Sequence, residues 1–191
     1  MAIIRFLRSL YLTPRFFGAL LLAMIVFILG LFFTVALTIG KIVLLAVVVL
    51  MVGDMLLLYS LRYGIRAWRE APDKLSNGDE NAIDVRIESV YPMPMRVSVV
   101  DEIPPEFQKR DFKYDTTLPS RKMVRVRYWI RPVRRGKYDF GQVNTFVKSY
   151  LGFAARRYQH DNSAIIPVYP SYLQMRKYDI MADSNRLTES G

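Results

Sequence analysis

Two adjacent apolar blocks in the first third of the chain restrict its fold more than any other feature. Phe16–Ile39 is a run of 24 residues without a charge, and in the 17 residues of Ile42–Leu58 the only charge is Asp54. A bilayer core of about 30 Å requires about 20 apolar helical residues. The sequence therefore predicts two transmembrane helices over 16–61, at 16–39 and 42–61, with a tight turn at 40–41.

A cleaved signal peptide and a buried helical hairpin both fit the apolar blocks less well. A run of 24 apolar residues is too long for the core of a signal peptide, and no small-residue cleavage site follows it. The polar remainder is too small to enclose a buried helical hairpin.

Basic residues flank the two predicted spans unevenly. Three arginines precede the first span, three arginines and Lys74 follow the second, and the turn contains Lys41 alone. The positive-inside rule then places both termini in the cytoplasm. Residues 1–15 are predicted as a basic interfacial segment with a short helix, and 62–78 as a juxtamembrane helix and linker. The membrane-flanking arginines are Arg5, Arg8, Arg15, Arg62, Arg66 and Arg69.

The periodicity changes from helical to alternating after residue 78. Ile83, Val85 and Ile87, for example, alternate with polar residues. About seven short strands are predicted between turn signals, including a strand pair or bent strand over 137–148. This pattern is typical of an immunoglobulin-like antiparallel sandwich. The predicted fold is thus a two-helix transmembrane hairpin followed by an all-β, immunoglobulin-like antiparallel sandwich over 79–170, with 171–191 as a tail or linker.

Residue types that carry catalysis or bind metals are scarce. The chain has no cysteine and a single histidine, His160, and contains no phosphate-binding glycine loop or nucleophile motif. We therefore predict no catalytic residue, no metal site and no cofactor. The carboxylate pairs Asp79-Glu80 and Asp101-Glu102 are interpreted as solvated turn residues.

A basic stretch lies within the predicted sandwich. Arg125 and Arg127 alternate with the core residues Val124 and Val126, so they share the outer face of one strand. Either this face is solvated and balanced by neighbouring acids, or it contacts anionic lipid or an acidic partner. Nucleic acid is disfavoured because phospholipid is the nearer anion. The candidate contact residues are Arg121, Lys122, Arg125, Arg127, Arg134, Arg135 and Lys137.

Asp54 is the one acidic residue within the predicted spans. Ionisable residues at such positions are candidates for transport or proton transfer. Two spans form no pore alone, however, and the alternatives are an ion pair with Lys41 or a helix contact beside Gly53.

Several short motifs occur in a specific order along nearly the whole chain. They are 5–13, 75–81, 101–105, 131–138, 151–153 and 169–178, reading RFLRSLYLT, LSNGDEN, DEIPP, RPVRRGKY, LGF and YPSYLQMRKY. Together they resemble the N-terminal part of the bacterial membrane proteins of the domain of unknown function 58 family. The resemblance implies an inner-membrane protein continued by a von Willebrand factor A-like domain. It also implies MoxR-type AAA+ ATPases and other von Willebrand factor A proteins as partners.

The leading expectation is a membrane-anchored, non-catalytic scaffold or adaptor that positions the sandwich, and the expected C-terminal domain, for a MoxR-type assembly. The alternative is a lipid- or ligand-sensing membrane module that uses the basic strand face. A transporter or enzyme subunit is less favoured, because it depends on Asp54 and scattered carboxylates alone.

Overall fold

The computed structural model describes residues 6, 8–61, 63–107 and 112–170. Two helices, α1 (Pro14–Leu29) and α2 (Thr34–Tyr59), pack against each other as a hairpin. Proline suits the first position of α1, where its missing N–H leaves no helical hydrogen bond unmade. The arginines Arg5 and Arg62 and the tail 171–191 lie outside the described residues.

The connection between the helices lies at residues 30–33, so the predicted turn at 40–41 is wrong. The glycine that the turn requires is Gly30, where a Cβ would lie 2.9 Å from the Cα of Leu37. Gly40 instead lies within α2, buried against the ring of Phe27. Because residues 16–39 are uniformly apolar, hydropathy alone did not indicate which glycine ends the first helix.

The two helices differ in length. At about 1.5 Å per residue, the 26 residues of α2 extend over about 39 Å, and the 16 residues of α1 over about 24 Å. By length and composition α2 is able to cross a membrane, and within the described residues it is the single helix that meets that criterion. Most large apolar side chains of both helices are exposed.

The remaining elements are strands, which form three sheets. The strands are β1 (Leu10–Leu12), β2 (Ile65–Glu70), β3 (Leu75–Ser76), β4 (Asn81–Ser89), β5 (Met95–Asp101), β6 (Phe112–Leu118), β7 (Met123–Ile130), β8 (Gly136–Phe140), β9 (Val143–Lys148), β10 (Ala154–His160) and β11 (Ala164–Tyr169). One sheet has the order β1-β10-β9-β5-β6, the second β2-β4-β7, and the third β3-β11-β8. All pairs are antiparallel except β3 with β11, which is parallel.

Inward-facing side chains of all three sheets form one buried cluster, so the strands make a sandwich-like β domain. The predicted alternation in β4 is confirmed, since Ile83, Val85 and Ile87 are fully buried. Residues 137–148, predicted as a strand pair or a bent strand, form two successive strands, β8 and β9, which pair in different sheets.

The β domain begins earlier in the chain than residue 79. Residues 65–70, predicted as a juxtamembrane helix, form β2, which pairs with β4 along its whole length. Burial of Ile65 and Ala67 on the core face favours the strand over a helix that would leave them solvated. Residues 75–76, predicted as linker, form β3.

The N-terminal segment also contributes to the β domain. Leu10–Leu12, placed by the sequence in an interfacial segment, pairs as β1 with the edge strand β10. Pairing satisfies backbone groups of β10 that an edge strand leaves open. The helical hairpin is therefore inserted between two strands of the domain, and both of its ends are held by sheets.

Candidate functional site

The carboxylate of Asp54 joins the end of α2 to the β domain. Its Oδ2 accepts hydrogen bonds from the backbone N–H groups of Phe153, at 2.8 Å, and Ala154, at 2.9 Å, and its Oδ1 accepts one from the hydroxyl of Ser149. Asp54 is 1% exposed. A buried carboxylate is tolerated only when hydrogen bonds replace its lost hydration, as they do here. Its partner is thus the segment 149–154, a loop and the first residue of β10, which we call the anchoring loop, rather than Lys41.

Thr13, the residue before α1, binds the same anchoring loop. Its backbone N–H donates to the carbonyl oxygen of Phe153 at 3.1 Å, and its hydroxyl donates to the carbonyl oxygen of Gly152. Gly152 has a φ of +69°, a left-handed conformation that glycine adopts without steric cost. The anchoring loop is therefore held from both helices of the hairpin.

The last turn of α2 is capped by side chains of the β domain. The carbonyl oxygen of Leu58 accepts hydrogen bonds from Nη1 of Arg156 and from the hydroxyl of Tyr91, both at 2.7 Å. The guanidinium of Arg156 also lies 4.4 Å from the ring centroids of Tyr59 and Tyr158. A cation at a helix C-terminus stabilises the exposed carbonyl groups and the helix dipole.

The hydroxyls of Tyr91 and Tyr158 lie 2.6 Å apart beside this cap. Burial raises the pKa of both phenols, which keeps them neutral and able to donate hydrogen bonds. The end of α2 is thus fixed by neutral and cationic donors that all come from strands or loops of the β domain.

A second buried polar cluster lies inside the sandwich. Nε of Arg69, on β2, donates to Oδ2 of Asp101, on β5, at 3.1 Å, and Nη2 of Arg69 donates to the other carboxylate oxygen. The two side chains are 2% and 0% exposed. Both sequence-based interpretations are wrong here: Arg69 does not flank the membrane, and Asp101 is not a solvated turn residue. The reason is that β2 turns Arg69 inward, beside the core residue Ala67.

Arg69 also donates to two backbone carbonyl groups. Nη1 donates to the carbonyl oxygen of Asn162 and Nη2 to that of Gly141, each at 3.0 Å, and the hydroxyl of Tyr128 donates to Asp101 at 2.6 Å. Burial opposes the charge on Arg69, but the hydrogen bonds and negative charge of Asp101 prevail and raise the pKa of Arg69. A buried network with this many hydrogen bonds is typical of a structural ion pair that joins two sheets.

The two arginines on the outer face of β7 are paired with acidic residues, as the first of the two sequence-based interpretations expected. The guanidinium of Arg127 donates to both oxygens of Asp84, at 2.9 and 3.0 Å, and Arg125 lies 3.1 Å from the same carboxylate. The hydrogen bonds from Arg127 and the neighbouring positive charge hold the pKa of Asp84 below its usual range. Glu70 pairs with Arg86 at 2.8 Å on the adjacent strands.

The other predicted contact residues do not form one surface with Arg125 and Arg127. Arg121 lies in a turn close to the end of α2, and its backbone N–H donates to the carbonyl oxygen of Tyr91. Lys122 follows it, and both side chains are exposed. The exposed residues Arg134, Arg135 and Lys137 follow β7 and therefore lie at its opposite end, away from the hairpin.

The arginines predicted to flank the membrane differ in their positions and contacts, where the structure describes them. Arg8 and Arg15 are exposed near the start of α1, and Arg66 is exposed on β2, with Nη1 4.0 Å from Glu88.

Within the described part of the chain, no three side chains of the metal-ligating types come together. His160, at the end of β10, is half-buried, and this burial lowers its pKa to about 4.

Sequence reasoning missed the partners of Asp54. Its donors Ser149, Phe153 and Ala154 lie 95 to 100 residues away from it in the sequence, so no local pattern relates them to it. The only signal was indirect: the anchoring loop contains the motif 151–153, which contributed to the family resemblance.

Comparison with known proteins adds little to this geometry. No protein-family model and no curated protein matches the chain. Among solved structures, the CARDB domain of a Pyrococcus furiosus protein, in complex with di-metal ions, aligns with 55% of this chain and 87% of its own, at 10% identity and a TM-score of 0.36. The ASH/PapD-like domain of human CEP192 aligns with 56% of this chain and 84% of its own, at 9% identity and a TM-score of 0.35. Similarity at this level carries no argument about function.

Proposed function

We propose that this chain is a membrane-anchored, non-catalytic scaffold whose helical hairpin holds the β domain at a set height and orientation on the bilayer. The observation that carries the proposal is the buried carboxylate of Asp54, which accepts hydrogen bonds from residues 95 to 100 positions away in the sequence. A flexible tether needs no such contact. A buried charged contact between helix and sheet instead restricts the angle between them.

The dimensions of the hairpin support insertion across a bilayer. The 20 residues from Thr34 to Gly53 extend over about 30 Å, the thickness of a hydrocarbon core. In our proposal α1 and the connection at 30–33 first take the chain across the same depth, and α2 brings it back. Lys41 then extends its side chain towards the far interface. The β domain lies on the cytoplasmic side of a bacterial inner membrane, by the charge rule and the family resemblance.

We also propose that the sandwich is immunoglobulin-like, on the strength of its strand order. Setting β3, β8 and β11 aside, β2, β4 and β7 occupy the places of strands A, B and E. The other sheet, read as β6-β5-β9-β10, corresponds to C′, C, F and G. The strand β1 then extends this second sheet beyond G.

The partners implied by the family resemblance are part of the proposal. A scaffold of this kind would present its β domain to a MoxR-type AAA+ ATPase and to von Willebrand factor A proteins. The test is binding of such an ATPase to the chain held in a lipid nanodisc, and absence of binding with and without nucleotide would count against this assignment.

Rigid coupling of hairpin and β domain is tested by a distance measurement. Because the chain has no cysteine, Leu31→Cys and Ile165→Cys place two spin labels at unique, exposed positions, 80% and 67% exposed, in the hairpin connection and on β11. Pulsed EPR in nanodiscs is expected to give a narrow distance distribution. Asp54→Ala is expected to broaden it, because the N–H groups of the anchoring loop lose their acceptor.

The matched control is Asp73→Ala, which removes an exposed aspartate from the loop between β2 and β3. We expect it to leave the distribution unchanged. A distribution that is equally broad with Asp54 intact and with Asp54→Ala would show that the hairpin is a flexible tether, and the scaffold proposal would fail.

A further inference from the structure

A groove of about 610 Å³ lies where α1 leaves the β domain. Its walls are the first residues of α1 and the outer face of β5, β6 and β9 in the five-stranded sheet. Four cations and one carboxylate line it: Arg15, Arg96, Lys113, Lys148 and Asp115. The groove is therefore a basic site on the sheet opposite to the predicted basic strand face.

The carboxylate in the groove is already engaged. Asp115 accepts a hydrogen bond from the hydroxyl of Ser98 and lies 3.6 Å from Nζ of Lys113. Among the described residues, no carboxylate lies within ion-pair distance of the other three cations, Arg15, Arg96 and Lys148. The groove thus contains positive charge that the described part of the chain does not balance.

Two of these cations are direct cross-strand neighbours. Arg96 on β5 is paired in register with Lys148 on β9, and both point to the outer face, because Val97 and Val147 occupy the core face. Like charges directly opposite each other destabilise a sheet. An anion bound between the two side chains would remove this repulsion.

The groove lies at the level at which the chain enters the bilayer in the proposed scaffold. Arg15 is the second residue of α1, and Lys148 is followed by the anchoring loop that binds both helices. Tyr150, 80% exposed in that loop, lies with its ring centroid 5.9 Å from the guanidinium of Arg96. Exposed tyrosines are typical of the headgroup region of membranes.

We propose that this groove binds the phosphate of an anionic phospholipid headgroup, between Arg15, Arg96 and Lys148. The acyl chains of such a lipid would continue along the exposed apolar side chains of α1, such as Phe17 and Leu21. The inference rests on the proposed membrane anchoring and adds a lipid class to it. The acid-paired arginines of β7 contribute nothing to this site.

The test is the selectivity of lipids in contact with the protein. The full chain is reconstituted in phosphatidylcholine vesicles with trace spin-labelled phosphatidylglycerol or spin-labelled phosphatidylcholine, and EPR measures the fraction of each in contact with protein. We expect a preference for phosphatidylglycerol. Arg96→Gln with Lys148→Gln should reduce it at least about fivefold, because one basic residue near an anionic surface contributes about that factor.

Arg134→Gln with Arg135→Gln is the matched control, since it removes the same charge at the far end of β7. We expect it to leave the preference unchanged. An equal loss in both double variants, an unaffected groove variant, or no preference in the unmodified chain would overturn the lipid site. Millimolar inorganic phosphate should not abolish the preference; abolition would mean that the groove binds free phosphate, and would also overturn it.

Two further measurements separate misfolding and loss of anchoring from loss of the site. In an uncharged detergent Lys148→Gln should be at least as stable as the unmodified chain, because it removes the repulsion from Arg96; a large loss of stability would overturn the proposal. Alkaline carbonate extraction should leave every variant in the membrane. Release of the unmodified chain would refute the anchoring itself, whereas retention without lipid preference refutes only the lipid site.

Discussion

Arg69→Met removes the buried cation of the sandwich while keeping an unbranched side chain of similar length. The carboxylate of Asp101, with 0% of its side chain exposed, would then keep only the hydroxyl of Tyr128 among its present side-chain donors. The carbonyl oxygens of Gly141 and Asn162 would lose their guanidinium donors at the same time. The variant therefore leaves a negative charge in the core without a counter-charge.

Breaking a buried ion pair by removing one partner costs about 3–5 kcal/mol. Small domains have a total free energy of unfolding of about 5–15 kcal/mol, so this loss is a large fraction of it. We expect the melting temperature of the β domain to fall by on the order of 10–20 °C. Asp101→Asn added to Arg69→Met should recover part of the loss, because the double variant buries no unpaired charge.

The assay is intrinsic fluorescence during thermal and denaturant unfolding in detergent. The two tryptophans, Trp68 on β2 and Trp129 on β7, both lie in the β domain and report its unfolding. Arg66→Met is the matched control: Arg66 is on the same strand, its side chain is 66% exposed and its nearest carboxylate oxygen is 4.0 Å away, so we expect a change within about 0.5 kcal/mol. A loss below about 1 kcal/mol for Arg69→Met would refute a structural role of the pair, because breaking a buried pair costs about 3–5 kcal/mol.

Two other predictions concern the stability of the same domain. Gly64→Ala should destabilise it by about 1–3 kcal/mol, because the new Cβ would clash with the ring of Tyr91. Gly53→Ala is the control: no atom lies within 4 Å of its new Cβ, so it should stabilise α2 slightly. Equal effects of the two substitutions on the free energy of denaturant unfolding would contradict this prediction. Because burial lowers the pKa of His160 to about 4, below its unfolded value of about 6.5, its neutral form stabilises the fold fully above about pH 6.5, and this contribution is lost as the pH falls towards 4. His160→Gln should reduce the difference in unfolding free energy between about pH 7 and about pH 4.5, and an unchanged difference would contradict the assignment.

Local patterns in the sequence were sufficient for the class of most elements. Apolar runs predicted two helices near the N-terminus, and the alternation in 83–87 and 124–127 predicted β4 and β7. These predictions succeed because hydropathy and period depend on residues close together in the chain. The same information misplaced the turn between the helices, because the one charge in this region, Lys41, follows Gly40 and not Gly30.

The segment 65–70 shows why a local pattern failed at the boundary of the β domain. Its sequence, IRAWRE, alternates and also continues an apolar helix, so both a strand and a helical extension were compatible with it. Pairing with β4, which lies more than ten residues further along the chain, stabilises the strand. The same pairing turns Arg69 into the core.

Three unusual features can be recognised without a structure: a carboxylate after a long apolar run, arginines near it, and a glycine motif at 151–153. What these residues do depends on the tertiary fold. Asp54 receives its hydrogen bonds from residues 95 to 100 positions away, and Arg96 meets Lys148 only because β5 and β9 pair in that register. The energy of a charged group depends on the atoms within a few ångströms of it, and here those atoms come from distant parts of the chain.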